Sequence, residues 1–252
     1  MGLGSSEDRS EPAEETAAER RPAAGESEGP RFSLRLGESG AARFGALFQG
    51  QQVPAGCTLA REGGVLSGLM ILDRGLVSLY QSKPGQDEQM VGWCFPGDLL
   101  AGTTVEGRSP VTARTLVPST LRVMPWEALD RFAQERPEVH RCLLDLAERS
   151  MARMRAHLLV VLAKSKLERL AAFLLEVRQH GAAPVPDTAR VELAMDREVI
   201  AQYLGLTVES VSRAFTALKD RGLIEMEDPR HILLSNLAGL TALARGDGEP
   251  GG

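Results

Sequence analysis

The chain is poor in the residues that build disulfide frameworks, metal sites and catalytic centres. Its 252 residues include three cysteines and four histidines, and aromatic side chains make up 4% of the sequence. Three widely spaced cysteines predict no disulfide framework, and the first 125 residues contain no histidine. No serine–histidine–aspartate set, paired-carboxylate motif, glycine-rich phosphate loop or H-E-x-x-H pattern is present, so neither an enzyme nor a metal site is expected.

Long apolar runs are missing as well. No stretch approaches the roughly 18 apolar residues that a membrane helix needs, and the N-terminus is acidic where a signal peptide would be apolar. We therefore expect a cytoplasmic protein without a membrane partner.

A surplus of positive charge, common in nucleic-acid-binding proteins, is also missing. The formal net charge is −5, but residues 1–30 alone carry eight acids against three bases, and the remainder has 26 of each. Residues 1–30 hold almost nothing apolar and are predicted to be a disordered acidic tail, as are residues 246–252 at the other end. The net charge is therefore no argument against DNA binding by the rest of the chain.

Local patterns divide the remainder into three segments of an α+β protein. Residues 31–125 contain short β-type runs separated by glycine turns, which predicts an antiparallel β-sandwich or β-roll. Residues 126–165 are rich in helix formers and predict helices, including a long dimerisation helix. Residues 166–245 contain the pattern of a winged helix-turn-helix.

The long helix is predicted to run from Pro137 to about Lys164. Its apolar residues recur at alternating spacings of three and four, as in a coiled-coil seam: Leu144, Ala147, Met151, Met154, Leu158 and Val161. Packing against the β-roll is one interpretation. A homodimer interface is favoured, because the spacing is regular and the other faces carry charged side chains.

The helix-turn-helix pattern is the most specific signal in the sequence. Arg197–Leu204 predicts a short helix, Gly205 suits a turn with a positive φ, and Thr207 is a good N-cap for the next helix. That second helix should run from 208 to 221 and end at Gly222. One face of it is apolar and expected to be buried: Val208, Val211, Phe215 and Leu218.

The opposite face of the second helix is polar and suits base recognition in a major groove. A guanidinium fits guanine, and a carboxylate accepts from cytosine. Beyond this helix, residues 223–235 predict a β-hairpin wing whose tip offers Arg230 and His231 to phosphates. The predicted DNA contacts are Thr207, Glu209, Ser212, Arg213, Thr216 and Arg230. Because residues 190–245 carry seven bases and eight acids, we expect few phosphate contacts and a modest salt dependence.

This order of segments resembles the CRP/FNR superfamily of bacterial transcription regulators over about residues 44–245. The resemblance implies that residues 31–125 form a β-roll, a jelly roll like a cyclic-nucleotide-binding domain. Glu209, Ser212 and Arg213 match the E-x-x-S-R pattern of its FNR/FixK branch. The resemblance implies that these three residues read a half-site like TTGAT in the inverted repeat TTGAT-N4-ATCAA. It also implies a homodimer that binds double-stranded DNA, mostly activates transcription by recruiting RNA polymerase, and controls low-oxygen or nitrogen-related genes.

The resemblance also frames the question of an effector. Family members with an iron–sulfur cluster use four cysteines, most of them near the N-terminus, and this chain has three cysteines and none in its tail. The histidines show no grouping that suits haem. We therefore expect no cofactor.

A cyclic nucleotide, cAMP or cGMP, is the alternative. Cyclic-nucleotide members carry a Gly-Glu-Leu turn and, at a fixed spacing, Arg-Ser-Ala; here Gly97-Asp98-Leu99 and Arg108-Ser109-Pro110 fall at that spacing. The departures are the shorter carboxylate of Asp98, the missing N–H of Pro110, and Met154-Arg155 in place of the hydroxyl pair that recognises adenine. The candidate pocket residues are Gly97, Asp98, Arg108 and Ser109.

Overall fold

The protein is described by a computed structural model that covers residues 33–82, 88–100, 107–180 and 189–247. The predicted acidic tail, residues 1–30, lies outside the described residues. Among the described residues, the N-terminal half contains one helix followed by seven strands: α1 (Ser33–Gly45), β1 (Gln49–Val53), β2 (Thr58–Ala60), β3 (Gly68–Arg74), β4 (Val77–Gln81), β5 (Gln89–Cys94), β6 (Thr112–Thr115) and β7 (Ser119–Pro125).

The C-terminal half contains six helices and three short strands among the described residues. In chain order they are α2 (Trp126–Glu135), α3 (Glu138–Ala163), α4 (Lys166–His180), β8 (Arg190–Glu192), α5 (Arg197–Leu204), α6 (Val208–Asp220), β9 (Glu225–Met226), β10 (His231–Leu233) and α7 (Leu237–Arg245). None of the described helices combines the length and apolar character that a bilayer crossing requires.

The seven N-terminal strands form two antiparallel sheets. One has the order β1-β7-β3 and the other β2-β6-β4-β5. The sheets enclose a core to which both contribute, including Leu72 and Leu121 from the first and Val77 and Ala113 from the second. The predicted antiparallel β-roll is confirmed.

β3 is buried over most of its length because both of its faces are covered. Met70 and Leu72 face the core between the sheets, while Leu69 and Ile71 face a second core built from helices α1, α2 and α3. A strand covered on both faces loses the alternation of apolar and polar residues that marks a half-exposed strand.

Helix α1 is an element that the sequence analysis did not predict, within the segment assigned to the β-roll. Gly37, with φ 67°, interrupts it. Its apolar side chains Leu36 and Phe44 are buried, and the Phe44 ring lies 5.2 Å from that of Phe132. Long-range packing therefore stabilises a helix whose glycines weaken the local signal.

Helix α3 agrees closely with its predicted boundaries, and α2 lies within the segment predicted to be helical. α2 ends before Pro137, because a proline disfavours the helical conformation in the residue that precedes it, and α3 begins just after that proline. One end of α3 is buried against the β-roll through Val139, Cys142 and Leu146. The rest of this 26-residue helix leads towards the C-terminal domain.

The C-terminal domain is a winged helix-turn-helix, as predicted. Asp196 and Thr207 cap the N-termini of α5 and α6 with side-chain hydrogen bonds, and Gly205 takes the left-handed conformation between the two helices. Strands β8, β10 and β9 form a small antiparallel sheet, which includes the wing. Gly246 was predicted to belong to the second disordered tail, but it caps the C-terminus of α7. The rest of that predicted tail, beyond residue 247, lies outside the described residues.

Candidate nucleic-acid interface

Helix α6 presents the predicted polar face to solvent. Its apolar face packs into the domain through Val211, Ala214, Phe215 and Leu218. The opposite face is open, and the side chains of Glu209 and Arg213 are 75% and 71% exposed. The residues that share this open face are those predicted from the helical spacing: Glu209, Ser212, Arg213 and Thr216.

The prediction that Val208 is buried is wrong. Its side chain is 45% exposed, at the first residue of α6. A residue in the first turn has no preceding turn of helix to cover it, and the core of the domain lies further along α6, from Val211 onwards. Val208 therefore adds an apolar surface to the N-terminal end of the polar face.

The polar face is organised by hydrogen bonds within α6. Glu209 and Arg213 form an ion pair across one helical turn, with 2.5 Å between Oε1 and Nη2. Ser212 Oγ donates to the carbonyl oxygen of Val208 at 3.0 Å, and Thr216 Oγ1 donates to that of Ser212 at 3.2 Å. With its proton engaged, each hydroxyl offers lone pairs, so it suits a donor such as a base amino group.

Thr207 lies at the N-terminus of α6, where its hydroxyl has a structural role. Thr207 Oγ1 accepts from the backbone N–H of Ser210 at 3.1 Å and shares a hydrogen bond with Ser210 Oγ at 2.9 Å. Lys166 of α4 donates from Nζ to the same Ser210 hydroxyl at 3.3 Å. A capping hydroxyl and an exposed cation thus lie together beside the polar face.

The wing places Arg230 at an exposed tip. Asp228 holds this turn, because its Oδ1 accepts from the backbone N–H groups of Arg230 and His231 at 2.7 and 2.9 Å. Its other oxygen lies 2.7 Å from His231 Nδ1. That hydrogen bond lowers the pKa of Asp228 to about 2 and raises the pKa of His231.

Sequence reasoning missed Arg169, which joins the end of α3 to the helix-turn-helix. From α4, its Nε donates to the carbonyl oxygen of Lys164 at the end of α3, and its Nη1 donates to that of Leu204 at the end of α5. The second contact spans 35 residues. Periodicity reports only neighbours along a helix, so no local pattern signals this contact.

The residues of the alternative effector pocket are engaged within the chain. Asp98 is 6% exposed, its Oδ2 accepts from the N–H of Phe95 at 3.0 Å, and its Oδ1 contacts the Arg153 guanidinium. Burial raises the pKa of Asp98, and Arg153 opposes that effect. Asp98 follows Gly97, which forms an exposed turn with φ 91°.

The phosphate-binding pair of the alternative pocket is engaged as well. Arg108 Nη1 donates to the Gly63 carbonyl oxygen at 2.7 Å, and the buried Ser109 hydroxyl donates to that of Val111 at 2.6 Å. A nucleotide that used these groups would have to replace existing hydrogen bonds, which are costly to leave unmade.

The apolar residues of α3 form an exposed stripe beyond the part that packs on the β-roll. Four of the six predicted seam residues are largely exposed: Leu144, Met151, Met154 and Leu158. Ala147 and Val161 are half-buried, and Leu162 extends the stripe at the C-terminal end with 72% exposure. An exposed apolar surface of this length on a single helix indicates an interaction face.

Comparisons with known proteins agree with this architecture. A family profile described as a cyclic nucleotide-binding domain matches residues 50–136, and one described as a Crp-like helix-turn-helix domain matches residues 168–243. The "Transcriptional activator protein FnrA" of Stutzerimonas stutzeri is 32% identical over 200 residues, which cover 79% of this chain and 81% of the relative. The "Nitrogen fixation regulation protein FixK" of Bradyrhizobium diazoefficiens is 35% identical over 170 residues, covering 68% and 71%.

Solved structures share the fold. The structure of FixK2 from Bradyrhizobium japonicum superposes with a TM-score of 0.70 at 24% sequence identity, covering 78% of this chain and 96% of that one.

Proposed function

This chain belongs to the CRP/FNR family of bacterial transcription regulators, in its FNR/FixK branch, and we propose that it is a homodimeric activator that binds the inverted repeat TTGAT-N4-ATCAA and recruits RNA polymerase. The observation that carries the proposal is the open face of α6, on which Glu209, Ser212 and Arg213 lie side by side. The relatives are named as a transcriptional activator and a nitrogen fixation regulator, which supports a role in low-oxygen or nitrogen-related gene control.

The proposed chemistry of recognition follows from the groups on that face. Arg213 donates two hydrogen bonds to O6 and N7 of the guanine in TTGAT, while Glu209 accepts from the N4 amino group of a cytosine. Their mutual ion pair in the free protein holds both side chains near the positions they need, which reduces the ordering cost of binding. Thr207, Thr216 and Arg230 contribute contacts beside the half-site and to the phosphates.

The proposed dimer uses the stripe on α3. Symmetric half-sites about one turn of DNA apart require two recognition helices related by a two-fold axis. A coiled-coil pairing of two copies of α3 covers the exposed apolar residues and provides that axis.

The decisive experiment is Arg213→Ala, measured against operators altered at each half-site position. We expect a loss of about 1–3 kcal/mol on the intact operator and a relaxed preference at the guanine. Arg221→Ala, beyond the C-terminal end of α6, is the matched control and should keep the base preference. Equal affinity of the wild type for every half-site variant would contradict the proposal.

We also propose that the regulator acts without an iron–sulfur cluster or a cyclic nucleotide. Three thiols fall short of the four ligands of a cluster, and Cys94 and Cys142 are buried in different cores. Burial raises the pKa of Cys94, which disfavours the thiolate that iron needs. Protein purified without oxygen should show no cluster or haem absorption in its ultraviolet–visible spectrum.

Calorimetry with cAMP and cGMP tests the alternative reading of the β-roll. We expect no heat of binding, since Asp98, Arg108 and Ser109 already bond within the chain. Micromolar binding that Arg108→Ala abolishes would establish a cyclic-nucleotide regulator instead.

A further inference from the structure

The β-roll, the long helix and the helix-turn-helix meet at one compact cluster of aromatic and polar side chains. We call it the junction and define it by Trp93 of β5, His157 of α3, Glu176 of α4 and Tyr203 of α5. The Tyr203 ring is packed between two others: its centroid lies 4.1 Å from that of Trp93 and 3.9 Å from that of His157, the latter nearly parallel. One side chain of the DNA-binding domain thus contacts both other parts of the molecule.

The hydroxyl of Tyr203 is also held by a contact within the junction. It donates to Glu176 Oε2 at 2.9 Å, and Tyr203 as a whole is 5% exposed. Burial raises the pKa of both Tyr203 and Glu176. The half-buried carboxyl of Glu176 and the buried phenol of Tyr203 are partners here, so removing one of them leaves the other without this hydrogen bond.

A second polar contact beside the junction ties the long helix to the β-roll. The Arg153 guanidinium of α3 contacts the buried carboxylate of Asp98, one turn of helix before His157. α3 is therefore attached to the β-roll by Arg153 and to the DNA-binding domain by His157. These attachments fix the domain relative to the helix that carries the apolar stripe.

The junction leaves the polar face of α6 free. Tyr203 lies on α5, and the polar face of α6 is more than two-thirds exposed at Glu209 and Arg213. The stripe on α3 is exposed at the same time. The junction therefore covers neither the polar face of α6 nor the stripe on α3.

We propose that Tyr203 is a positioning residue for operator binding, which holds each helix-turn-helix in the orientation that places two recognition helices on one inverted repeat. The proposal rests on the dimeric operator binding proposed above. Both half-sites are bound at once only if the second helix is presented about 34 Å from the first. The more freely each domain turns on α3, the lower the effective concentration of the second helix at its half-site.

The test compares two duplexes, one with both half-sites and one with a single half-site and a scrambled partner. A single half-site engages one recognition helix, so its affinity is insensitive to the relative orientation of the two domains. Tyr203→Phe should lower the ratio of the two affinities roughly tenfold, since both subunits lose a hydrogen bond. A variant that is merely less well folded loses affinity for both duplexes equally and keeps the ratio.

Two further variants make the comparison specific. Glu176→Gln keeps an acceptor for the Tyr203 hydroxyl and should retain the wild-type ratio. Tyr80→Phe removes the hydroxyl of the chain's only other tyrosine, on β4, and should also leave the ratio unchanged. An unchanged or increased ratio in Tyr203→Phe would overturn the proposal.

Tryptophan emission tests the junction without DNA. The chain has two tryptophans, and a Trp126→Phe background leaves Trp93 as the single reporter. Tyr203→Phe in that background should shift the emission of Trp93 to longer wavelength as water reaches the loosened junction, and an identical spectrum would count against the proposal. If the wild type bound both duplexes equally, the dimeric operator would fail, while this spectrum would still report on Tyr203.

Discussion

At the scale of single residues, the sequence predicts which side chains share the polar face of α6. It does not predict the burial and the distant partners of individual side chains. The spacing of Glu209, Ser212 and Arg213 predicts a shared face, and the structure places them on it. The exposure of Val208 depends on where the core of the domain ends, which the period of one helix does not report. Asp98 is a similar case, because its partner Arg153 is 55 residues away in the sequence.

Gly205 is the residue whose backbone conformation matters most to the helix-turn-helix. It has φ 61° and ψ 40° and ends α5, so Gly205→Ala places a side chain in the left-handed region. Its new Cβ would meet only ordinary contacts, the nearest being Val161 Cγ1 at 3.6 Å. We expect a loss of about 1–2 kcal/mol in the free energy of unfolding, from backbone strain alone.

Urea unfolding of the purified protein measures that loss. Gly45→Ala, at the C-terminal end of α1, is the control, since nothing lies within 4 Å of its added Cβ and its φ is not in the left-handed region. It should be neutral or slightly stabilising. Equal unfolding midpoints for both variants would show that the turn tolerates a side chain.

At the scale of elements, long helices and the winged domain could be predicted from the sequence, whereas the contacts between elements could not. α2, α3, α5 and α6 have strong periodicity and clear start or stop residues, such as Pro137 and Thr207. α1 escaped prediction because glycine breaks its pattern and its stability comes from Phe132 and other distant residues. The junction escaped for the same reason, since Trp93 and Tyr203 lie in separate segments.

The wing is the element whose charge should respond to pH. The hydrogen bond to Asp228 raises the pKa of His231 above its ordinary value of 6.5, so the imidazolium persists to higher pH and is lost as the pH rises through the raised pKa. The wing then carries one positive charge fewer, and DNA affinity should fall several-fold at low salt. The small stabilisation that this pair gives to the fold is fully present below pH 6.5, as long as Asp228 stays ionised, and is lost over the same rise.

Electrophoretic mobility assays across this pH range can measure the effect. His231→Gln should remove this part of the pH dependence, because glutamine keeps a polar side chain without a titrating proton. His140→Gln, at the start of α3, changes a histidine far along the chain from the wing and should retain it. A pH profile that is the same in all three proteins would exclude a role for the wing histidine.

At the scale of the whole molecule, the proposed dimer depends on the apolar stripe of α3. Leu158→Glu introduces a carboxylate into the exposed apolar stripe, where the proposed dimer would bury it between two copies of the helix. We expect sedimentation equilibrium to report a monomer, and binding to the inverted repeat to fall with it. Ala156→Glu adds the same charge two residues away, on an exposed part of the helix outside the stripe, and should remain dimeric.

The distribution of charge over the whole molecule predicts a shallow salt dependence. Outside the acidic tail the bases and acids balance, and Arg190 and Arg213 of the DNA-binding domain are paired with Glu227 and Glu209. These pairs and the eight acids of residues 190–245 reduce the number of cations that can displace counterions from phosphates. Titrations of the operator at several salt concentrations should give a slope well short of about −10 in the logarithmic plot, and a steeper slope would contradict this distribution of contacts.

The exposed stripe on α3 also bears on how a cell could use such a protein. If only paired chains bind the operator, promoter occupancy at low abundance rises with the square of the number of chains, because two must first meet. A twofold change in synthesis or degradation would then produce about a fourfold change in occupancy, by the same mass action. The steepness of the genetic response would come from the apolar residues of one helix, with no signalling molecule needed to supply it.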